Sequence, residues 1–114
     1  MSRPERDRLL RCTGFQWDLG NARKLLERHA VEPGECEQAF FVEPLVVSTD
    51  EKHSAAEPRW RALGQTLAGR RLHIVFTVRG ELIRVISARD MTRRERQAYD
   101  QTTARFKKDP DLQN

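Results

Sequence analysis

The sequence predicts an α+β domain: an antiparallel β-meander with helices packed on one face and a basic helix at the C-terminal end. Three observations lead there. From Leu72 to Val78 and from Leu82 to Ser87 the chain is rich in β-branched and apolar residues, and Arg79-Gly80-Glu81-Leu82 between the two runs fits a two-residue hairpin loop with glycine at its first central position. Thr92 and Glu95 form a T-x-x-E capping box directly after the second run, which marks a helix start. Two further short apolar runs lie upstream on short connections, which favours neighbouring antiparallel strands.

Taken in order, positions 1–14 form a mixed-charge lead-in expected to lie outside the core, although Leu9 and Leu10 offer a docking contact. Positions 15–107 form a single domain and 108–114 a C-terminal tail. Phe15-Gln16-Trp17 reads as a short strand, and Asp18 as the N-cap of a helix. Ala22, Leu25, Leu26 and His29 then fall at i, i+3, i+4 and i+7, one apolar stripe. A second helix starts at Pro33, turns Cys36, Ala39 and Phe40 inward, and ends near Phe41 before Glu43-Pro44. A strand from Leu45 to Ser48 and a polar loop containing His53 follow, then a strand from Arg59 to Leu67 and a turn at Ala68-Gly69-Arg70. The last helix runs to about Lys107, stopped by Asp109-Pro110, with Tyr99 and Phe106 as its thin apolar face.

The hairpin loop sets an expected register. Val78 faces Ile83, Phe76 faces Val85 and Ile74 faces Ser87 on the core side. Thr77 lies beside Arg84, and His73 beside Ala88, on the opposite, polar side. This count turns Arg89 towards the core.

Composition narrows the partners. The 114 residues are 38% hydrophobic and 33% charged, with a formal net charge of +4 and a pI of about 9.6. That balance favours a polyanion or an acidic protein as partner. Cys12 and Cys36 show no metal-binding spacing, and the charged start does not read as a signal peptide. No apolar run is long enough to span a bilayer, so a reduced cytoplasmic protein is expected. No ligand set suggests a metal, and no glycine-rich phosphate loop suggests a nucleotide cofactor.

Several motifs then resemble one family. They are F-x-W-D at Phe15–Asp18, H-x-V at His29–Val31, E-x-R at Glu57–Arg59, Gly64, R-x-I-S-A-R at Arg84–Arg89, and T-R-R-E-R-x-x-Y at Thr92–Tyr99. This pattern is similar to the BrnT toxins, members of the RelE-like ribonuclease toxins of type II toxin–antitoxin systems. The resemblance implies a RelE-like fold and a ribonuclease that arrests translation. It also implies a BrnA-like ribbon-helix-helix antitoxin as partner in a hetero-oligomer that reaches operator DNA through the antitoxin. The chain departs from the family's W-D-x-x-K-x-x-x-N-x-x-K-H-G pattern. Asn21 replaces the first lysine, Leu25 the asparagine, Arg28 the second lysine and Ala30 the glycine.

RNA cleavage without a metal needs a base for the 2′-hydroxyl, an acid for the leaving 5′-oxygen, and cations for the phosphate. Arginine suits the last role, being always charged and bidentate towards phosphate. Arg84, mid-strand on the polar side, and Arg59, at the start of the neighbouring strand, are the first candidates; the alternatives are an edge salt bridge and a rim charge. Arg89 is either catalytic or part of a structural ion pair with Asp18 or Asp90. His29 and Tyr99 are the candidate acid or base, against packing roles for both. His73 is a weaker candidate, His53 reads as solvated, and Glu57 is either a base or, as the favoured reading, a partner of Arg59. Arg93, Arg94 and Arg96 occupy a helix start that normally favours acidic residues; they read either as a solvated charged helix end or as contacts for RNA phosphates. The competing reading is a catalytically inactive basic module that holds an antitoxin and modulates its DNA binding.

Overall fold

The computed structural model describes residues 2–53 and 56–108, apart from the side chain of His53. Its elements are α1 (Arg3–Leu10), β1 (Gly14–Phe15), α2 (Leu19–His29), α3 (Pro33–Phe41), β2 (Val46–Thr49), β3 (Trp60–Gln65), β4 (Arg71–Arg79), β5 (Leu82–Asp90) and α4 (Arg93–Lys108). A 3-10 turn, Glu51–His53, lies between β2 and β3. The strands form one sheet in the order β1-β5-β4-β3-β2. β2 to β5 are the expected antiparallel meander, and β1 joins β5 in parallel. The architecture is the α+β class that the sequence predicts.

The core lies between one sheet face and α2 and α3. Trp60, Ala62, Ile74, Phe76, Val85 and Ala88 supply the sheet side, and Leu25, Val31, Cys36 and Ala39 the helix side. Gly64 lets α3 close on β3, because a Cβ there would sit 3.0 Å from the Ala39 carbonyl oxygen. Burial pushes the Cys36 thiol up to about 12, so it packs as a small apolar group.

Two local expectations are corrected. In α2 the buried residues are Asn21 and Leu25, whereas Leu26 is 54% exposed and His29 lies at the surface. The helix is rotated because Asn21 is satisfied inside. Its amide donates to the carbonyls of Gln16 and Val85, and its Oδ1 accepts from the Asp18 amide. A hydrophobic stripe cannot register a fully bonded amide. The N-terminal lead-in lies outside the core as expected, with Leu9 partly packed against it, and forms a helix capped by a Ser2–Glu5 box. It has no buried residue, yet Glu5 accepts from the Trp60 indole at 2.7 Å and Arg8 donates to the Val78 carbonyl at 2.9 Å. The Trp60 bond, followed by the bonds from Ser2, holds the Glu5 carboxyl down to about 2. The second correction is the strand register, which shapes the site. The Asp109-Pro110 stop signal and the side chain of His53 lie outside the described residues.

Candidate nucleic-acid interface

From the Gly80 loop the hairpin runs in the expected register through Val78–Ile83, Thr77–Arg84 and Phe76–Val85. There the ladder slips. Val75 pairs with Ser87, so Ile86 is one extra residue on β5, a β-bulge. Beyond it Ile74 faces Ala88 rather than Ser87, and His73 faces Arg89 rather than Ala88. Ala88 fills the core at 0% exposure, and Arg89 moves to the polar face. The expectation that Arg89 points at the core is thereby overturned. A one-residue slip exchanges the faces of every position after it.

The polar face now combines side chains from three strands. β5 supplies Arg84, Ser87 and Arg89, β4 supplies His73, Val75 and Thr77, and β3 supplies Arg61. Two shallow depressions lie along it. One is bordered by Lys24, Glu57, Arg79 and Arg84, the other by Arg61, His73, Arg89 and Glu95, and Arg59 and Ile86 border both. Cations outnumber carboxylates, as a polyanion-binding surface requires.

Each carboxylate is engaged. Arg84 pairs with Asp18 at 2.9 Å and donates to Gln16 at 3.3 Å. Asp18 also caps α2 through the Asn21 amide, and that bond together with Arg84 lowers its carboxyl. Arg89 grips Glu95 with two bonds, 2.8 and 3.1 Å, and donates to the Asp90 carbonyl at 3.0 Å. The expected Arg89 partners are committed elsewhere, Asp18 to Arg84 and the Asp90 carboxylate to Arg70. Glu95 completes the expected capping box by accepting from the Thr92 amide at 2.8 Å. The Arg89 bonds, with the cap, hold its carboxyl down to about 2. Glu57 pairs with Arg79 at 3.1 Å rather than with Arg59, which adds only a weaker electrostatic pull. The His73 Nε2 lies 3.9 Å from Glu95. Burial, and after it Arg89, lowers the His73 pKa, so the imidazole is neutral near pH 7.

The other expected residues lie apart. His29 ends α2, its carbonyl accepts from Arg70, and it borders neither depression. Tyr99 is 1% exposed and donates to the Pro44 carbonyl at 2.6 Å, anchoring α4; burial raises its pKa. Arg93, Arg94 and Arg96 are exposed on the first turn of α4, on either side of Glu95. Lys24, Arg61 and Arg79 border the surface although no motif marks them. For Arg61 a signal existed, since it alternates with the core residues Trp60 and Ala62 and so must share the polar face. Among the described residues, no group of three or more His, Cys, Asp and Glu side chains is placed to hold a metal ion. No described helix is long and apolar enough to cross a membrane.

A small α+β domain that presents arginines from adjacent strands on one open sheet face carries a surface chemically suited to phosphodiester polyanions. The sequence comparison is more specific. Residues 17–95 match the family described as ribonuclease toxin, BrnT, of type II toxin–antitoxin system. The match spans more than half of the chain, and the chain belongs to this family. No individual curated protein is similar enough to match it.

The departures from the family pattern take on structural meaning. Asn21 is tied into the sheet by its side-chain bonds, and Lys24, one turn further along α2, borders the depression beside Arg84. Ala30 caps α2 in the left-handed conformation, with φ at 52°.

Proposed function

We propose that this chain is the toxin of a type II toxin–antitoxin system, a RelE-like endoribonuclease that inhibits translation by metal-independent cleavage. The observation that carries the reading is the convergence of Arg59, Arg84 and Arg89 on the open sheet face of a BrnT family member. Arg84 and Arg59 hold the scissile phosphate and stabilise the charge that develops on its oxygens. Arg93, Arg94 and Arg96 extend the contact to flanking phosphates. The nucleophile is the substrate's own 2′-hydroxyl, which restricts the reaction to RNA. Tyr99 and His29 serve the fold in this reading, given their places away from the depressions. The partner is a BrnA-like ribbon-helix-helix antitoxin in a cytoplasmic hetero-oligomer that reaches operator DNA through the antitoxin.

A second reading, an inactive basic module that holds the antitoxin, is favoured by the carboxylates already seated on the face, Asp18 on Arg84 and Glu95 on Arg89. An acidic antitoxin would offer the same groups. Induced expression of the chain alone separates the two. The toxin slows growth and protein synthesis, co-expressed antitoxin restores both, and the purified protein cleaves RNA in excess EDTA, with or without ribosomes present. Normal growth with folded, soluble protein would instead establish the binding module.

A further inference from the structure

We propose that His73 takes the proton of the attacking 2′-hydroxyl, acting as the general base of the site. The proposal rests on the ribonuclease reading above and adds the group that this reading leaves unassigned. Among the motif residues Tyr99 is bonded to the Pro44 carbonyl and His29 lies at the far end of α2, while Glu57 and Glu95, which do border the depressions, are held by Arg79 and Arg89 with their carboxyls lowered and so are weak bases.

His73 is placed differently. It sits mid-sheet on the polar face, with Arg89 beside it on β5 and Leu63 on β3 as its register partners. The start of α4 brings Glu95 over it, and Arg61 faces it from β3. Arg59 and Asp50 close the rim of the same depression. It is 9% exposed and lies outside the hydrophobic cluster, among charged groups.

The surroundings suit a base. Burial and the neighbouring guanidinium groups disfavour the imidazolium, so the ring nitrogen keeps its lone pair at cellular pH. The same guanidinium groups attract the phosphate. Glu95 then steadies the imidazolium once the proton has arrived, and its own position is fixed by Arg89 and by the cap of α4. In the step, the O2′–H bond breaks and its proton moves to the imidazole. O2′ bonds to phosphorus and the P–O5′ bond breaks. The departing 5′-oxygen takes a proton from water, and the imidazolium returns its proton to solvent. The products are a 2′,3′-cyclic phosphate and a 5′-hydroxyl, with no net consumption of water.

The test measures kcat/KM for the full chain on a short RNA from pH 4.5 to 8, with and without ribosomes. Alongside it, the His73 imidazole is titrated by NMR. The expected profile has an acidic limb with an apparent pKa below the ordinary histidine value of about 6.5, coincident with the NMR titration of His73. His73→Gln loses about 10²–10⁴ in rate and loses the limb, yet binds a 2′-O-methyl RNA within a few-fold of the parent. A parent that cleaves, with a limb that does not coincide with His73, overturns the assignment even if the variant fails to fold. A His73→Gln protein that cleaves with its limb intact overturns it as well, and both results leave the ribonuclease reading standing. A folded parent that cleaves no RNA under any of these conditions removes the reading and the assignment together.

Discussion

Replacing Arg84 by alanine separates what this side chain does for the fold from its proposed role towards the phosphate. Its own side chain is 19% exposed, and it holds Asp18 at 2.9 Å and Gln16 at 3.3 Å. The loss comprises one half-exposed ion pair, one long neutral hydrogen bond and the packing of the aliphatic stem. Asp18 is 54% exposed and keeps its bond from the Asn21 amide, so no buried charge is stranded. Together these come to roughly 1–2 kcal/mol, more than the ~0.5 kcal/mol of an ordinary surface substitution. At about 4 °C per kcal/mol for a domain of this size, the melting temperature falls by about 4–8 °C. Losing a phosphate-stabilising donor costs far more, about 10²–10³ in cleavage rate. Asp18→Asn is the control, because it breaks the ion pair while leaving the guanidinium in place. It should lose only the ion-pair part of that stability and keep cleavage within a few-fold. Calorimetry and single-turnover cleavage of a labelled RNA measure the two quantities separately. An Arg84→Ala protein that melts lower but cleaves at the parent rate would refute the phosphate role.

Three further outcomes follow from the same geometry. Neutralising Arg93, Arg94 and Arg96 together, exposed on the first turn of α4, should weaken RNA binding and flatten its dependence on salt, read as the slope of log affinity against log salt; an unchanged slope assigns them to solvent or antitoxin. Ala30→Gly should raise stability by about 0.5–1 kcal/mol in a denaturant titration, because Ala30 holds a φ of 52° that costs an L-residue more than glycine's extra unfolded-state freedom. Glu95 is held at about 2 in the folded chain against an ordinary 4.5, so its contribution is complete above pH 4.5 and is lost as pH falls towards 2. Glu95→Gln should therefore be less stable than the parent at pH 7, by roughly 1–2 kcal/mol, with the gap closing across that window.

The sequence shows the class of fold plainly because the hairpin loop, the capping box and the short connections are local signals. Gly80 dictates its turn, and Thr92 and Glu95 need only each other. What it conceals are cases where one residue serves two distant partners. Glu95 reads as a helix cap, and the cap forms, but its remaining capacity goes to Arg89, which only the folded sheet brings near. Asn21 reads as a lost lysine, and its burial becomes intelligible only once the Val85 carbonyl is seen waiting for its amide.

The bulge is the instructive failure, because the chain did carry a trace of it. Strict alternation from Val85 turns Ser87 inward and Ala88 outward, against the polarity of both. One extra residue at Ile86 reverses them, so that Ser87 becomes exposed and Ala88 fully buried. The burial of a single methyl group in place of a hydroxyl thus accompanies the turning of Arg89 from the core to the open face. There it stands opposite His73 and fixes Glu95 above it. A strand without the bulge would send Arg89 into the apolar layer, where an unpaired charge is far too costly to persist. The irregularity that spoils the register count is therefore what assembles the second depression. In a sheet whose polar face carries the function, a mismatch between alternation and polarity marks where a strand departs from regularity, and it points to the residues that the departure exposes.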